Sequence, residues 1–442
     1  VNEHDTILML CYMSLGGGHL AAWRDPAAPE NPGLNLPALV RSAQKAEEAA
    51  LHGMFIADSL ALWERTPEAH ARTATNSHFE PMTLCAALSQ ATERLGFVIT
   101  GNTTYNTPYG LARSYASLDH LSGGRVAWNV VTSGNPAEAG NFGGSPVGPS
   151  DRYQRAAEFV EVARGLWDGW DDDALVLDRA TGVYHRADAL HALDHEGKHF
   201  AVRGPLTSAR PPQGHPVIAQ AGSSPAGRDF AATYGDLVLS MQPSADLART
   251  FYREVKALAA AKGRDPEHVK VLSNTALVLG RTQDEADERL ALLDSLVDPV
   301  PGLESLSLLL VHDMSGYPLD EPVPDIPLTE TGSSGIQQHF LAMVRSQGLT
   351  LRQAMQLSAR AGAQAFSVES FADHVEEYVT TGAADGFNLV FADLGPSLDV
   401  LAEHAVPELR RRGLFRSRYR GTTLRDDIGI PRPAPARSAA AV

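Results

Sequence analysis

Short apolar runs alternate along most of the chain with longer segments whose apolar residues recur at helical spacing. Thr6–Leu15 reads as a first buried strand. Asn35–Leu51 places Leu36, Leu39, Val40, Ala43, Ala46 and Ala50 on one helical face. Gly53–Ser59 is a second strand. Phe79–Thr92 follows as a helix, with Pro81 near its start and Leu84, Ala87, Leu88 and Ala91 on one side. Next comes a β-α-β unit: a strand Leu95–Thr100, a polar elbow Gly101–Thr107, a helix Pro108–Leu121, a Gly123-Gly124 turn and a strand Val126–Val131. Asp151–Trp170 is a long amphipathic helix. His215–Ser224, Asp236–Gln242, Val269–Gly280 and Phe387–Asp393 supply four more strands. Helices at Pro225–Tyr234, Ala245–Lys262 and Asp284–Val297 separate or follow them.

Eight strands alternating with helices give a TIM (β/α)8 barrel more simply than an open sheet, so the expected class is α/β. Two stretches break the alternation. Residues 174–208 carry turn residues and lack helical period, which marks an insertion. The longest excursion, Asp298–Ala384 between strands seven and eight, holds a Pro-rich run (Tyr317–Pro327) and three helix-like segments. Leaving from a strand's carboxyl end, it would sit at the active-site end and could act as a lid. Residues 1–430 are therefore expected to form one barrel domain with insertions near 174–208 and 298–384. Pro431–Val442, rich in Pro and Ala, is expected to be a disordered tail.

Composition changes this picture mainly by exclusion. A formal net charge of −16 argues against a polyanionic partner such as nucleic acid. No apolar run approaches the ~20 residues of a membrane span. VNEHDTILML has no basic run, so no secretory signal is expected, and a cytoplasmic location is the default. Cys11 and Cys85 are the two cysteines and form no CxxC, which speaks against a disulfide framework or structural zinc. No two-His-one-carboxylate set has convincing spacing, so no metal is expected.

Candidate chemistry gathers at the strands' carboxyl ends, where parallel α/β proteins bind ligands. QAGSSPAGRD (Gln220–Asp229) ends a strand, lets the backbone approach a ligand at Gly222, puts Ser223 and Ser224 at an N-cap and Pro225 at the first helical position. Free N–H groups and two hydroxyls then meet the positive end of a helix dipole, which makes an anion site and most simply a phosphate site. A capped helix without ligand is the commoner use of such residues, and spacing leaves both readings open. Asp58 ends strand two and could equally be an N-cap. Thr103 and Thr104 lie in the elbow after strand three, and Asn129, Thr132 and Ser133 end strand four. His19 follows Gly16–Gly18, which is not a dinucleotide motif. It is either a surface residue or a site residue. His312, in LLVHDMSGY, is a weaker candidate from the excursion. The histidines of His185–His199 have no evident ligand spacing.

The wording of several segments is more specific than their spacing. NTTY (Asn102–Tyr105), then PY..AR..A.LDHLSGGR, then WNVVTS resemble the bacterial-luciferase-like flavin monooxygenases. Within that family they resemble the branch acting on nitrilotriacetate, EDTA, dibenzothiophene sulfone and long-chain alkanes. HLAAWR (His19–Arg24), GMFIADS (Gly53–Ser59), DRYQRAAEF (Asp151–Phe159) and PVIAQAGSSPAGRDFAA (Pro216–Ala232) add to the resemblance in the family's order.

The resemblance implies a two-component FMNH2-dependent monooxygenase that uses O2 through a flavin peroxide to oxygenate a small organic substrate. It implies FMN supplied by a separate NAD(P)H-dependent flavin reductase, and a homodimer or homotetramer. It places the FMN phosphate at Gly222, Ser223 and Ser224 with Tyr153, the ring system near Asp58, one of Thr103 and Thr104, and the rim Asn129, Thr132 and Ser133. His19, and less firmly His312, would serve as catalytic groups. Relatives commonly show HDxRY where this chain has Pro149, Ser150, Asp151, Arg152 and Tyr153, so the usual histidine contact is absent or comes from elsewhere. Two rival readings stay open: a deazaflavin-dependent hydride-transfer oxidoreductase of the same superfamily, and a non-catalytic flavin-binding barrel.

Overall fold

Eight parallel strands close into a ring in the computed structural model of the chain, which describes residues 6–12, 16–62, 66–143, 148–328 and 334–435. The strands are β1 (Ile7–Tyr12), β2 (Gly53–Ile56), β3 (Gly96–Asn102), β4 (Val126–Val131), β5 (Val217–Gln220), β6 (Leu237–Ser240), β7 (Lys270–Gly280) and β8 (Gly386–Phe391). Each pairs with the next, and β8 returns to β1 with Ile7 opposite Gly386. Alternate residues point to opposite faces of a strand. Ile7, Met9 and Cys11 thus share an interior cluster with Val98, Ala127, Val217 and Leu272. Leu8, Leu10 and Tyr12 pack outward against the helices.

The helices covering the ring are α1 (Leu36–Glu48), α2 (Pro81–Gln90), α3 (Pro108–Ser122), α4 (Pro149–Trp167), α5 (Pro225–Tyr234), α6 (Ala245–Ala261) and α7 (Gln283–Ser295). Their starts follow local rules: Pro stands at the first helical turn of α1 to α5, and the Asn35 side chain accepts the Ala38 N–H at 3.1 Å. Among the described residues no helix is long and apolar enough to cross a membrane.

The opposite end of the barrel is closed by the chain's last described part. Leu424, Ile428 and Ile430 join the interior cluster, and the Leu424 N–H donates to the Gly124 carbonyl at 2.9 Å. Arg425 reaches buried Asp236 at 3.0 Å. Residues 431–435 continue in place, with Arg432 on Asp172 and the Pro433 carbonyl accepting from Arg210. The rest of the expected tail, 436–442, lies outside the described residues, as do residues 13–15 of the expected first strand.

Two differences from the sequence expectation bear on the site. Strand β3 runs two residues further, because Gly101 and Asn102 pair with Val130 and Val131. The long excursion is of two kinds. Its first part holds α8 (Pro299–Leu310), α9 (Ser334–Ser346) and α10 (Leu351–Ala359), packed on their own apolar cluster with Leu306, Phe340, Leu341 and Met355. Its last part is ordinary barrel: Gln364–Ser367 adds a strand to the end of β7, and α11 (Val368–Thr380) covers the ring through Phe371 and Val375. The excursion therefore holds four helices, not three, and only residues up to about 359 are an addition to the barrel.

The insertion at 174–208 contains two small hairpins, Leu175–Asp178 with Val183–His185 and His195–Glu196 with Ala201–Val202. Two of its histidines lie on carboxylates. His195 lies 3.2 Å from Glu158 on α4, which also accepts the N–H groups of His199 and Phe200, and His191 lies 2.9 Å from Asp171.

Candidate functional site

At the carboxyl ends of β2 to β5 the loops enclose a cavity of about 280 Å³. Asp58, Thr132, Ser133, Tyr153 and Gly222 line it, together with Thr100, Asn102, Glu138, Gln220 and Phe230. The β3 elbow is locked by one side chain. Asn102 Oδ1 accepts the N–H groups of Thr104 and Tyr105 at 2.6 and 2.9 Å, and its amide donates to the Ser133 hydroxyl. Ser133 sits at φ 51°, the left-handed region that costs a non-glycine residue ~1 kcal/mol or more. Its carbonyl is held by the Arg152 guanidinium.

Two candidates from the elbow turn into the wall. Thr103 is fully buried and donates both its N–H and its hydroxyl to the Val131 carbonyl, at 3.0 and 3.2 Å. Thr104 is partly exposed and donates to the Thr132 carbonyl at 2.9 Å. Asn129 lies one layer deeper. Its amide donates to the Thr100 hydroxyl at 3.0 Å, which donates to the Ile56 carbonyl at 2.9 Å, and its own Oδ1 is buried without a partner. Asp58 Oδ1 lies 3.4 Å from His78 Nε2.

Beside this cavity helix α5 begins. Ser224 Oγ accepts the Gly227 N–H at 3.1 Å, and the Gly222 N–H donates to Gln220 Oε1 at 2.8 Å. The N–H groups of Ser223, Ser224 and Ala226 have no partner among the described residues, and Ser223 and Ser224 are exposed. Gly222 and Gly227 are packed against each other under the Tyr153 hydroxyl. A Cβ on Gly222 would lie 2.8 Å from Gly227 Cα and 3.0 Å from that hydroxyl. The close approach leaves a concave backbone surface with free donors at a helix N-terminus, which suits a phosphate.

His19 and His312 do not line this cavity. His19 is 3% exposed, with Nε2 3.3 Å from Asp294 Oδ1 and Nδ1 accepting the Ala21 N–H at 3.1 Å. Nδ1 as acceptor leaves the proton on Nε2, so the ring donates to Asp294. Asp294 also holds Arg360 at 2.6 Å. Burial acts to raise the Asp294 carboxyl, yet the bonds from His19 and Arg360 hold it below the usual range. The turn that brings His19 inward needs Gly17, at φ 123°, where a side chain would collide with the Ala392 carbonyl. Leu20 and Ala21 belong to the apolar cluster of α8 to α10, so this loop joins β1 to the insertion. His312 faces a second cavity of about 870 Å³, beside Leu303, Leu308 and Val311, with Nε2 3.1 Å from the Tyr317 hydroxyl. The insertion leans on the β2 loop there: Thr66 N–H donates to Glu304 at 2.8 Å, and Arg72 pairs with Asp298 at 2.9 Å.

Sequence reasoning missed Thr100, Asn102 and Glu138. Asn102 carried a signal, since Asn at a strand end that caps two following N–H groups is a familiar turn device. Burial pushes the Cys11 and Cys85 thiols up to about 12, so neither is a nucleophile at neutral pH. Among the described residues no three His, Cys, Asp or Glu side chains could hold a metal.

Comparison with known proteins gives the family. The family described as luciferase-like monooxygenase matches residues 16–384. N-acetyl-S-(2-succino)cysteine monooxygenase of Bacillus subtilis (strain 168) is 39% identical over 94% of this chain and 95% of its own. Nitrilotriacetate monooxygenase component A of Aminobacter aminovorans is also 39% identical, over 95% of each chain. A solved structure of riboflavin lyase with modified FMN and riboflavin superposes with a TM-score of 0.83 at 30% identity, covering 96% of each chain.

Proposed function

The chain belongs to the luciferase-like monooxygenase family and is a monooxygenase, and from that premise we propose that it works on reduced FMN handed over by a separate NAD(P)H-dependent reductase. The observation that carries the cofactor assignment is the glycine cradle of Gly222 and Gly227 under Tyr153, next to the free N–H groups of α5 and open to the 280 Å³ cavity. Two features of relatives support it. One solved relative holds a modified FMN, and another is named as component A of an oxygenase, which implies a second component.

In this reading Ser223, Ser224, the start of α5 and the Tyr153 hydroxyl bind the phosphate. The ring system lies toward Asp58, Asn102, Thr132 and Ser133. Asn129 acts from below, by fixing Thr100. Bound reduced flavin supplies the electrons with which O2 is activated. The chain's own work is to bind, to orient and to keep water out. The rigid elbow around Asn102 orients, and the α8–α10 insertion, fastened through Arg360 to the Asp294 that His19 also holds, excludes water. His19 is thereby a positioning residue first. It holds a proton on Nε2 that it donates to Asp294.

Flavin titration tests this. Oxidised FMN should bind the protein, and Ser224→Glu should weaken it at least ~10-fold, because a carboxylate would face the phosphate. Oxygen uptake should require FMNH2 and not a reduced deazaflavin. Unchanged FMN affinity in Ser224→Glu would refute the phosphate placement.

A further inference from the structure

One cavity-lining residue has no role in that account. Glu138 lies in the short helical turn Pro136–Asn141 that follows β4, where Asn135 Oδ1 accepts the Ala137 N–H at 3.0 Å. Glu138 is 9% exposed, and its Oε2 is shielded from solvent without a hydrogen bond. No ion pair reaches it among the described residues. Arg152, on the neighbouring helix, gives its Nη1 to the Ser133 carbonyl instead. A carboxylate oxygen shielded from water without a donor is costly, and removing the cost takes a donor brought by whatever fills the cavity.

The wider charge pattern says what kind of donor. Among the described residues no Lys or Arg lines the cavity, and its other charged lining group is Asp58. The 870 Å³ cavity under the insertion repeats this arrangement. Glu68, Glu304 and Asp313 line it beside Leu303, Leu308 and Val311, again with no Lys or Arg among the described residues. Glu68 is taken by Arg72, but Glu304 keeps one buried oxygen without a partner. A mixed polar and apolar lining that carries carboxylates, and no Lys or Arg among the described residues, suits a cation with an apolar body. It would repel a polycarboxylate.

Resting on the flavin monooxygenase reading, we propose that Glu138 is a specificity-determining residue whose carboxylate receives the ammonium group of an organic amine substrate. Nitrilotriacetate, for which one 39%-identical relative is named, is then refused by this chain. The bond is charge-assisted and forms only once the amine has entered, so it discriminates between substrates without contributing to flavin binding.

Calorimetry on full-length protein preloaded with FMN tests the assignment, using primary n-alkylamines from butyl to dodecyl, the matching alkyl methyl ethers, and nitrilotriacetate. At least one amine should bind ~10-fold or more tightly than its ether, and nitrilotriacetate should not bind. The isosteric Glu138→Gln should erase the amine preference while leaving ether and FMN affinities within about 2-fold. Glu138→Asp should retain part of that preference. Equal binding of amines and ethers by wild type, tighter binding of nitrilotriacetate, or equal losses for both series in Glu138→Gln would overturn the proposal. A fall in FMN affinity in that variant would also overturn it, because the carboxylate would then serve the cofactor. Failure of wild type to retain FMN at the preloading step would sink the flavin reading itself, and is seen before any amine is added.

Discussion

The barrel mouth and the α8–α10 insertion are built on opposite principles. The mouth is a strand-borne polar surface. The side chains of Thr103 and Thr104 and the Oδ1 of Asn102 bond neighbouring backbone, and the Asn102 amide holds the Ser133 hydroxyl, so the mouth's shape is set by the ladder beneath it. The insertion has its own small apolar core. Polar fastenings tie it to the barrel: Arg360 at the end of α10 on Asp294 of α7, to which His19 of the β1 loop also bonds, Arg72 on Asp298, and Thr66 on Glu304. Rigidity on one side and a few breakable ties on the other are what a site needs to admit a substrate and then close over it.

That contrast makes the mouth the place where one substitution does most damage. Gly222→Val should cost roughly 100-fold or more in FMN affinity, since the added side chain meets Gly227 and the Tyr153 hydroxyl and displaces the phosphate donors, each worth about 1.5–3 kcal/mol. Fluorescence titration reads it. An affinity near wild type would show that the cradle is not where flavin sits.

His19→Ala should act on the insertion instead. It removes a part-buried bond to a carboxylate, so product per FMNH2 oxidised should fall roughly 10-fold and H2O2 release should rise, with FMN affinity within a few-fold. The same tie gives a pH dependence. The Asp294 carboxyl is depressed in the folded protein. Its contribution is therefore present above its unfolded value near 4 and is lost as pH falls through the lower folded value. Asp294→Asn should flatten the acid limb of a thermal-stability profile. An unchanged profile together with unchanged coupling would dissolve the distinction between fastened insertion and rigid mouth.

The smallest effect is expected inside the barrel. Ser in place of both Cys11 and Cys85 should leave flavin affinity and coupling unaltered within about 2-fold, at a stability cost of about 1–3 kcal/mol for two hydroxyls in apolar surroundings. Loss of turnover in a folded double variant would mean that a thiol takes part.

Elements whose apolar pattern is strong were legible in the sequence. Val126–Val131 and Pro225–Tyr234 stand in the structure with the bounds read from the chain. Strand β3 was cut short because Gly101 and Asn102 are polar or small, while their inclusion is decided by pairing with β4. Helix α11 was absorbed into the excursion because periodicity does not say which core a helix faces. In the site, Asp58, Thr132, Ser133, Tyr153 and Gly222 meet on one cavity, since strand ends and a capped helix start announce their position. Orientation was not legible. His19 turns toward Asp294, 275 residues away in sequence, and no local pattern encodes that. Glu138 lies in a turn too short to have a period.

The plug of Leu424, Ile428 and Ile430 governs when the molecule can first exist. Strand β1 leaves the ribosome hundreds of residues before its neighbour β8 and the interior layer that seals the barrel floor. At ~5–20 residues per second the nascent barrel stays unsealed for on the order of tens of seconds. Through that interval the edge of β1 and the apolar face behind it are open to other chains. The burden on chaperones therefore falls on the polypeptide before its plug is made, and is relieved only when that segment emerges.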